Sequence, residues 1–242
     1  MVKSSLERIY TDSGRSDHEI AGQDTLQLHL ERYRFAGENI IPGRVADVAC
    51  GSGYGSHLLA TQYNNHIHKI ISIDNNETAI KYAQKKYNNP SIDFVLADAL
   101  AFKSPALFST IISLETIEHL EDPIRFVSHF TSQLAIGGRF IASAPVTPSM
   151  DANPYHLQDF SITSFKKLFL NNGLTEIKTF VQTQPYKPGE LFKKNNQGRA
   201  NDIRRNLGRF YLKHPGKFML RLKSLIKDGF TNKYLVVVFE KK

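Results

Sequence analysis

Cysteine is almost absent from this chain: Cys50 is the single thiol in 242 residues. One thiol excludes an internal disulfide framework and fits a reducing, cytoplasmic compartment. No apolar run approaches the ~20 residues that a bilayer-spanning helix needs. Met1 to Asp12 has no apolar core of the secretory-signal type. Internal repeats and low-complexity tracts are also missing, which excludes a solenoid. What remains is an ordinary globular composition, 41 % hydrophobic and 22 % charged. The length suits one α/β domain with a full core and some embellishment.

Acidic residues are scarce in only one part of the chain. Residues 1–150 hold 16 Asp/Glu against 13 Lys/Arg, whereas residues 151–242 hold 7 against 18. The densest stretch, Lys193 to Lys227, has 11 Lys/Arg and the single acid Asp202. The formal net charge of +8 is therefore a local feature that points to one surface.

The patterning alternates. Strands are expected at 44–49, 68–73, 92–96, 108–114, 138–144, 175–182 and 233–240. Helices are expected at 25–36, 56–63, 76–87, 123–134 and 161–171, with Gly137-Gly138 closing the fourth of these. Such alternation predicts a doubly wound, mostly parallel seven-stranded sheet with helices on both faces. Residues 1–24 read as a polar N-terminal arm, and 25–242 as a single domain. A basic helical insertion interrupts it at about 186–231, ahead of the last strand.

The most informative segment is Val45-Ala-Asp-Val-Ala-Cys-Gly-Ser-Gly-Tyr-Gly55. A short apolar strand runs into a glycine-rich turn and then a helix, the layout of a nucleotide-cofactor cradle. A dinucleotide fingerprint would need a glycine where Ser56 stands. Instead Asp47-Val-Ala49-Cys-Gly51-Ser-Gly53 resembles motif I of class I S-adenosylmethionine (SAM) methyltransferases, with Ala49 in place of the first glycine. In an open parallel sheet, ligands lie beyond the carboxyl ends of the strands. There the second strand ends in Asp74-Asn75, and the third is followed by Asp98-Ala99. Singly, each Asp reads as a turn or cap residue; together at successive strand ends they read as a cofactor site. The resemblance implies that Asp74 takes the ribose hydroxyls and Asp98 the adenine amine. It also implies that Asp47 orders the glycine loop or meets the ammonium group, with Leu114 at the end of the fourth strand completing the pocket. Cys50 reads as a small residue beneath the cofactor. His29-Leu-Glu-Arg-Tyr33 resembles an element that flanks the cofactor in bacterial glycan and natural-product methyltransferases, and it reads equally as a packing helix.

The fourth strand leads into Glu115-Thr-Ile-Glu118-His119. On a helical turn, i, i+3 and i+4 share one face. Asn153-Pro-Tyr-His156 follows the fifth strand at the same sheet edge. Glu-x-x-Glu-His with a distant His is similar to the metal site of small-RNA 2′-O-methyltransferases. That implies Glu115, Glu118, His119 and His156 as ligands to Mg²⁺ or another divalent ion. The metal-free reading makes His119 or His156 the catalytic base, since imidazoles titrate near neutral pH; a structural role is the third reading. The Asn-Pro-Tyr-His segment again resembles glycan and natural-product O-methyltransferases, which implies a hydroxyl acceptor on a sugar, glycan or small molecule. An RNA 2′-O-methyltransferase and a non-catalytic SAM-binding module are the competing classes.

The basic segment reads three ways: a lid whose apolar stripe packs on the domain, a lid that meets phosphate on a nucleotide-linked sugar, phosphorylated lipid or RNA, or a peripheral membrane helix. RNA is the weakest of these partners, because few aromatics interleave the cations.

Overall fold

The computed structural model describes residues 21–186 and 206–242. Most of the expected N-terminal arm, and residues 187–205 of the basic insertion, lie outside the described residues.

Seven strands form one sheet: β1 (Gly43–Val48), β2 (Ile67–Asp74), β3 (Ile92–Leu96), β4 (Phe108–Ser113), β5 (Leu134–Pro145), β6 (Leu174–Pro185) and β7 (Thr231–Lys241). Their order is β3-β2-β1-β4-β5-β7-β6. The first five are parallel, while β7 runs antiparallel to both β5 and β6. The sheet is thus mixed, and its parallel part is the portion that builds the ligand edge. Strand order reverses between β1 and β4, opening a crevice beyond their carboxyl ends.

The strands are apolar on both faces because helices cover both. Along β7, Leu235, Val237 and Phe239 join the core containing Phe126, Phe130, Phe165 and Phe169, whereas Val236 and Val238 join the opposite core with Tyr33, Leu58 and Leu59. This is the two-residue alternation of a pleated strand. The first core rests on α4 (Pro123–Ser132) and α5 (Ile162–Leu170), the second on α1 (Ala21–Gly37) and α2 (Tyr54–Gln62). α3 (Glu77–Lys86) is started by Asn76, whose side chain accepts from Ala79 N at 2.8 Å. Asp122 caps α4 through Arg125 N, and Ser161 opens α5 with a capping box.

Two local expectations fail. Gly137-Gly138 does not close a helix: α4 ends at Ser132, and both glycines lie inside β5. The register shift between Phe108 and Thr110 accommodates them as a bulge, with Gly137 at φ 71°. Nor does a helical turn run from Glu115. That residue has φ 52°, outside the right-handed region, and only Ile117–His119 forms a tight 3-10 turn. The shared-face argument for Glu115 therefore does not apply.

Between β6 and β7, α6 (Leu207–Lys213) and α7 (Pro215–Asp228) are helical. The orientation of α7 departs from a lid docked by its apolar stripe. Lys217 and Arg221 face the domain, while Phe218, Met219, Leu220, Leu222 and Ile226 are exposed.

Candidate functional site

The glycine-rich turn bridges β1 and α2. Ala49, Gly51 and Gly53 all carry positive φ, at 62°, 57° and 83°. Ala49 thus bears left-handed backbone strain of about 1–2 kcal/mol where motif I carries glycine. A Cβ on Gly51 would meet nothing within 4 Å, so its face opens to ligand space. A Cβ on Gly53 would come within 2.7 Å of Ala83 Cβ and of the Phe94 ring. Gly53 is then required by packing, as is Gly55, whose Cβ would lie 2.0 Å from the Tyr33 ring; Gly53 immediately precedes α2, whose free N–H groups favour negative charge. Cys50 is buried, and its N–H donates to Ile73 O at 3.0 Å.

Asp47 is fully buried, so its carboxylate is a framework group. It accepts from Ser56 Oγ at 2.5 Å and from Tyr33 O–H at 3.1 Å, tying β1 to α2 and α1. Burial pushes its pKa up to about 6, against the opposing bonds from Ser56 and Tyr33. A raised folded-state value means that Asp47's contribution is fully present below its unfolded pKa of 3.8 and is lost as pH rises through about 6. Asp47→Asn should therefore flatten the fall in stability between pH 4 and 7, as read by urea denaturation across that range. An unchanged pH profile would assign the titration elsewhere.

Asp74 is 5 % exposed. Its Oδ2 accepts from Gly51 N at 2.9 Å and its Oδ1 from Asn76 N at 2.8 Å, so one carboxylate couples the glycine turn to the β2 end. Asn75 beside it is exposed. Asp98 is exposed, with Oδ1 on Leu100 N at 2.7 Å, an arrangement that shapes its own turn. Ala99 is half-buried, and Leu114 is buried at the end of β4.

Beyond β4, Glu118, His119 and His156 come together: one ligand atom from each lies within 4.8 Å of the others. The two imidazoles meet edge to face, centroids 4.7 Å apart. His119 Nδ1 lies 3.2 Å from Tyr155 O; a carbonyl only accepts, so this nitrogen donates and Nε2 carries the lone pair when the ring is neutral. His156 Nδ1 is 2.7 Å from Ser149 Oγ. Burial, then the charge of His119, depresses the His156 pKa to about 3, so this ring is neutral at physiological pH. Glu115 is not in the group. Its Oε1 accepts from Ser143 Oγ at 2.6 Å, its N–H donates to the same hydroxyl at 3.0 Å, and Arg32 Nε stands 4.0 Å away.

Three arrangements were not foreseen from the sequence. The Tyr33–Asp47–Ser56 tie is one. Another is buried Arg32, which donates to Gln182 Oε1 at 2.5 Å, lies over the Tyr234 ring and adds to the burial that depresses the pKa of His29. The third fixes the loop that carries His156. Arg221 grips buried Asp151 through both carboxylate oxygens, at 2.6 and 2.7 Å, and Tyr211 O–H donates to the same group at 2.6 Å. Lys217 pairs with Asp159 at 2.8 Å, and Asp159 accepts from Ser149 N at 2.7 Å. The i, i+4 spacing of Lys217 and Arg221 beside two acids in 151–159 was the available signal. Arg221→Ala leaves Asp151 charged and buried, so it should cost about 3–5 kcal/mol in chemical denaturation. No loss would mean that water, or the remaining donors Tyr211 O–H and Ala152 N, satisfy Asp151 once the guanidinium is gone.

Among the described residues no helix is long and apolar enough to cross a membrane. Residues 43–196 match the family model described as "Methyltransferase domain". A Mycobacterium tuberculosis protein described as a probable S-adenosylmethionine-dependent methyltransferase is 25 % identical over 175 residues, covering 65 % of this chain and 62 % of the relative. The chain thus spans just under two thirds of that relative's length. Phosphoethanolamine N-methyltransferase 1 of Arabidopsis thaliana is 27 % identical over 57 % of this chain and 30 % of its own. Among solved structures, N-methyltransferase NodS of Bradyrhizobium japonicum, in complex with S-adenosyl-L-homocysteine, superposes with a TM-score of 0.59. It is 16 % identical and covers 98 % of this chain and 94 % of its own; at that identity the likeness speaks for the fold.

Proposed function

Because the chain belongs to the methyltransferase-domain family, we propose that it moves a methyl group from SAM to a hydroxyl on a sugar, glycan or natural-product-like small molecule. The residues at the sheet edge fit the donor. Gly51 leaves open space where a Cβ would stand, and Asp74 offers a carboxylate at the β2 end, where ribose hydroxyls need an acceptor. SAM supplies a methyl on a positively charged sulfur, and the protein's task is to align an acceptor oxygen and take its proton. The observation that carries the hydroxyl reading is the His119–His156 pair. A hydroxyl attacks poorly while protonated, and a neutral imidazole at the donor edge is a competent base. His119 Nε2 is the candidate base; His156, held neutral, packs its ring against it. Alignment of oxygen, methyl and sulfur contributes several of the ~7–11 kcal/mol available to proximity.

The same cluster favours a second reading. Glu118, His119 and His156 offer one oxygen and two nitrogen donors. That set suits Mn²⁺, Co²⁺ or Fe²⁺ better than Mg²⁺. A divalent ion there would lower the pKa of an acceptor hydroxyl. Calorimetric titration with Mn²⁺ reads this directly, and binding that persists in a Glu118→Gln, His156→Ala variant would remove the cluster from consideration.

The function is tested with methyl-labelled SAM and an extract of the source, with and without EDTA, separated into small molecules and glycans, lipid, and RNA. Label in the small-molecule or glycan fraction supports the reading. Label in RNA moves the protein to the 2′-O-methyltransferase class, label on an amine to N-methylation. Bound SAM with no label transferred leaves a binding module.

A further inference from the structure

α7 is mounted inside out. A helix that docks by apolar burial turns its apolar stripe to the domain. Here Lys217, Arg221, Ser224 and Asp228 face inward at near-helical spacing, and three of them are held by ion pairs with Asp159, Asp151 and Lys233. Consequently most of the apolar side chains, half-buried Leu225 apart, point outward: Phe218, Met219, Leu222 and Ile226 are 47, 49, 40 and 79 % exposed. At ~100° per residue, Met219, Leu222 and Ile226 fall within about 60° of one another, and Phe218 borders them. Lys223 and Lys227 flank the stripe on its other side, both exposed. Arg209 and Lys213 of α6 add two more exposed cations, and no Asp or Glu among residues 206–230 is exposed. Leu212 and Phe230, at the two ends, are 86 and 50 % exposed.

We propose that the outer face of α7 lies against a membrane surface bearing anionic headgroups, with Leu222 and Ile226 in the acyl boundary and Lys223 and Lys227 at the headgroups. An apolar stripe bordered by lysines is the pattern of an interfacial helix, and lysine stems reach from the apolar side to the charged layer. The charge decides against the other occupants. A second copy on a two-fold axis sets each patch against itself, which brings Lys223 and Lys227 toward like charges. A nucleic-acid strand needs aromatic platforms for its bases, and the stripe supplies aliphatic side chains with Phe218 as its one ring. An anionic lipid surface satisfies both halves of the pattern. The inference rests on α7 alone and stands apart from the reaction at the sheet edge.

The test is flotation of the full chain with phosphatidylcholine vesicles, with and without phosphatidylglycerol. Binding should require phosphatidylglycerol and weaken as salt rises. Lys223→Gln with Lys227→Gln should lower partitioning about fivefold per lysine. Leu222→Asp with Ile226→Asp should abolish it, while SAM affinity and circular dichroism stay unchanged because both residues face solvent. Several results would overturn the proposal: no binding to either vesicle, equal binding to both, or binding retained by the aspartate variant. Self-association or RNA binding lost in that variant, without vesicle binding, would hand the face to a second copy or to nucleic acid and equally overturn it.

Discussion

His119→Ala lowers kcat by about 10²–10⁴-fold, the range that a positioned general base supplies, and leaves SAM affinity nearly intact. The split follows from geometry. His119 ends the tight turn after β4 and bonds to Tyr155 O, whereas the cradle proposed for the donor comprises the glycine turn, Asp74 and the start of α2. The pH–rate profile separates base from bystander. His156, depressed to about 3, stays neutral across the physiological range and contributes no limb there. Any acid limb near neutrality then belongs to another group, and its disappearance in the His119 variant, with residual activity flat in pH, marks that group as the base. Under the metal reading the same variant loses Mn²⁺ affinity along with turnover. A large loss of SAM binding would take His119 out of the chemistry and make it a support of the cofactor pocket.

The parts of this protein that were legible in the sequence are those dictated by local repetition. Both faces of the sheet are covered, so β7 reads as an unbroken apolar run from Tyr234 to Phe239, and the helices between the strands announce themselves by period. The glycine turn was legible because backbone geometry demands it: Gly53 cannot carry a Cβ beside Phe94. What failed depended on backbone states that composition does not encode. Glu115 looked like the first member of a helical i, i+3, i+4 set, yet its φ of 52° turns it to Ser143 and Arg32, and only Glu118 and His119 remain near His156. Gly137-Gly138 carried a helix-stop signal and instead forms a bulge in β5. α7 shows the limit most clearly. Its period gave a helix with an apolar stripe, but which face turns inward was decided by Asp151 and Asp159, more than fifty residues away in the chain. Buried acids that need cations outcompeted the apolar stripe for the docking face, because an unpaired buried carboxylate costs more than several exposed aliphatic side chains.

Asp74→Ala weakens SAM binding by about 10²-fold or more, as read by calorimetry, since hydrogen bonds to a charged group contribute about 1.5–3 kcal/mol each and two ribose hydroxyls are in question. With donor at saturation, kcat changes little. Two causes would give the same loss: the missing ribose acceptor, or a glycine turn released from Asp74 Oδ2, which now holds Gly51 N at 2.9 Å. Asp74→Asn distinguishes them. An amide keeps one carbonyl acceptor, enough for Gly51 N or Asn76 N but not both, and presents donors where the second oxygen stood. If Asn restores thermal stability and leaves affinity low, the carboxylate acts on the ribose. If Asn restores both, Asp74 serves the turn and the ribose is held by another group. Asp98→Ala provides the scale for a surface position: that carboxylate is exposed and bonds its own turn, so its removal should lower affinity by less than the Asp74 change. Equal losses from the two would mean that the exposed side chain closes over the adenine when the donor binds, and affinity unchanged in the Asp74 variant would contradict the ribose role altogether.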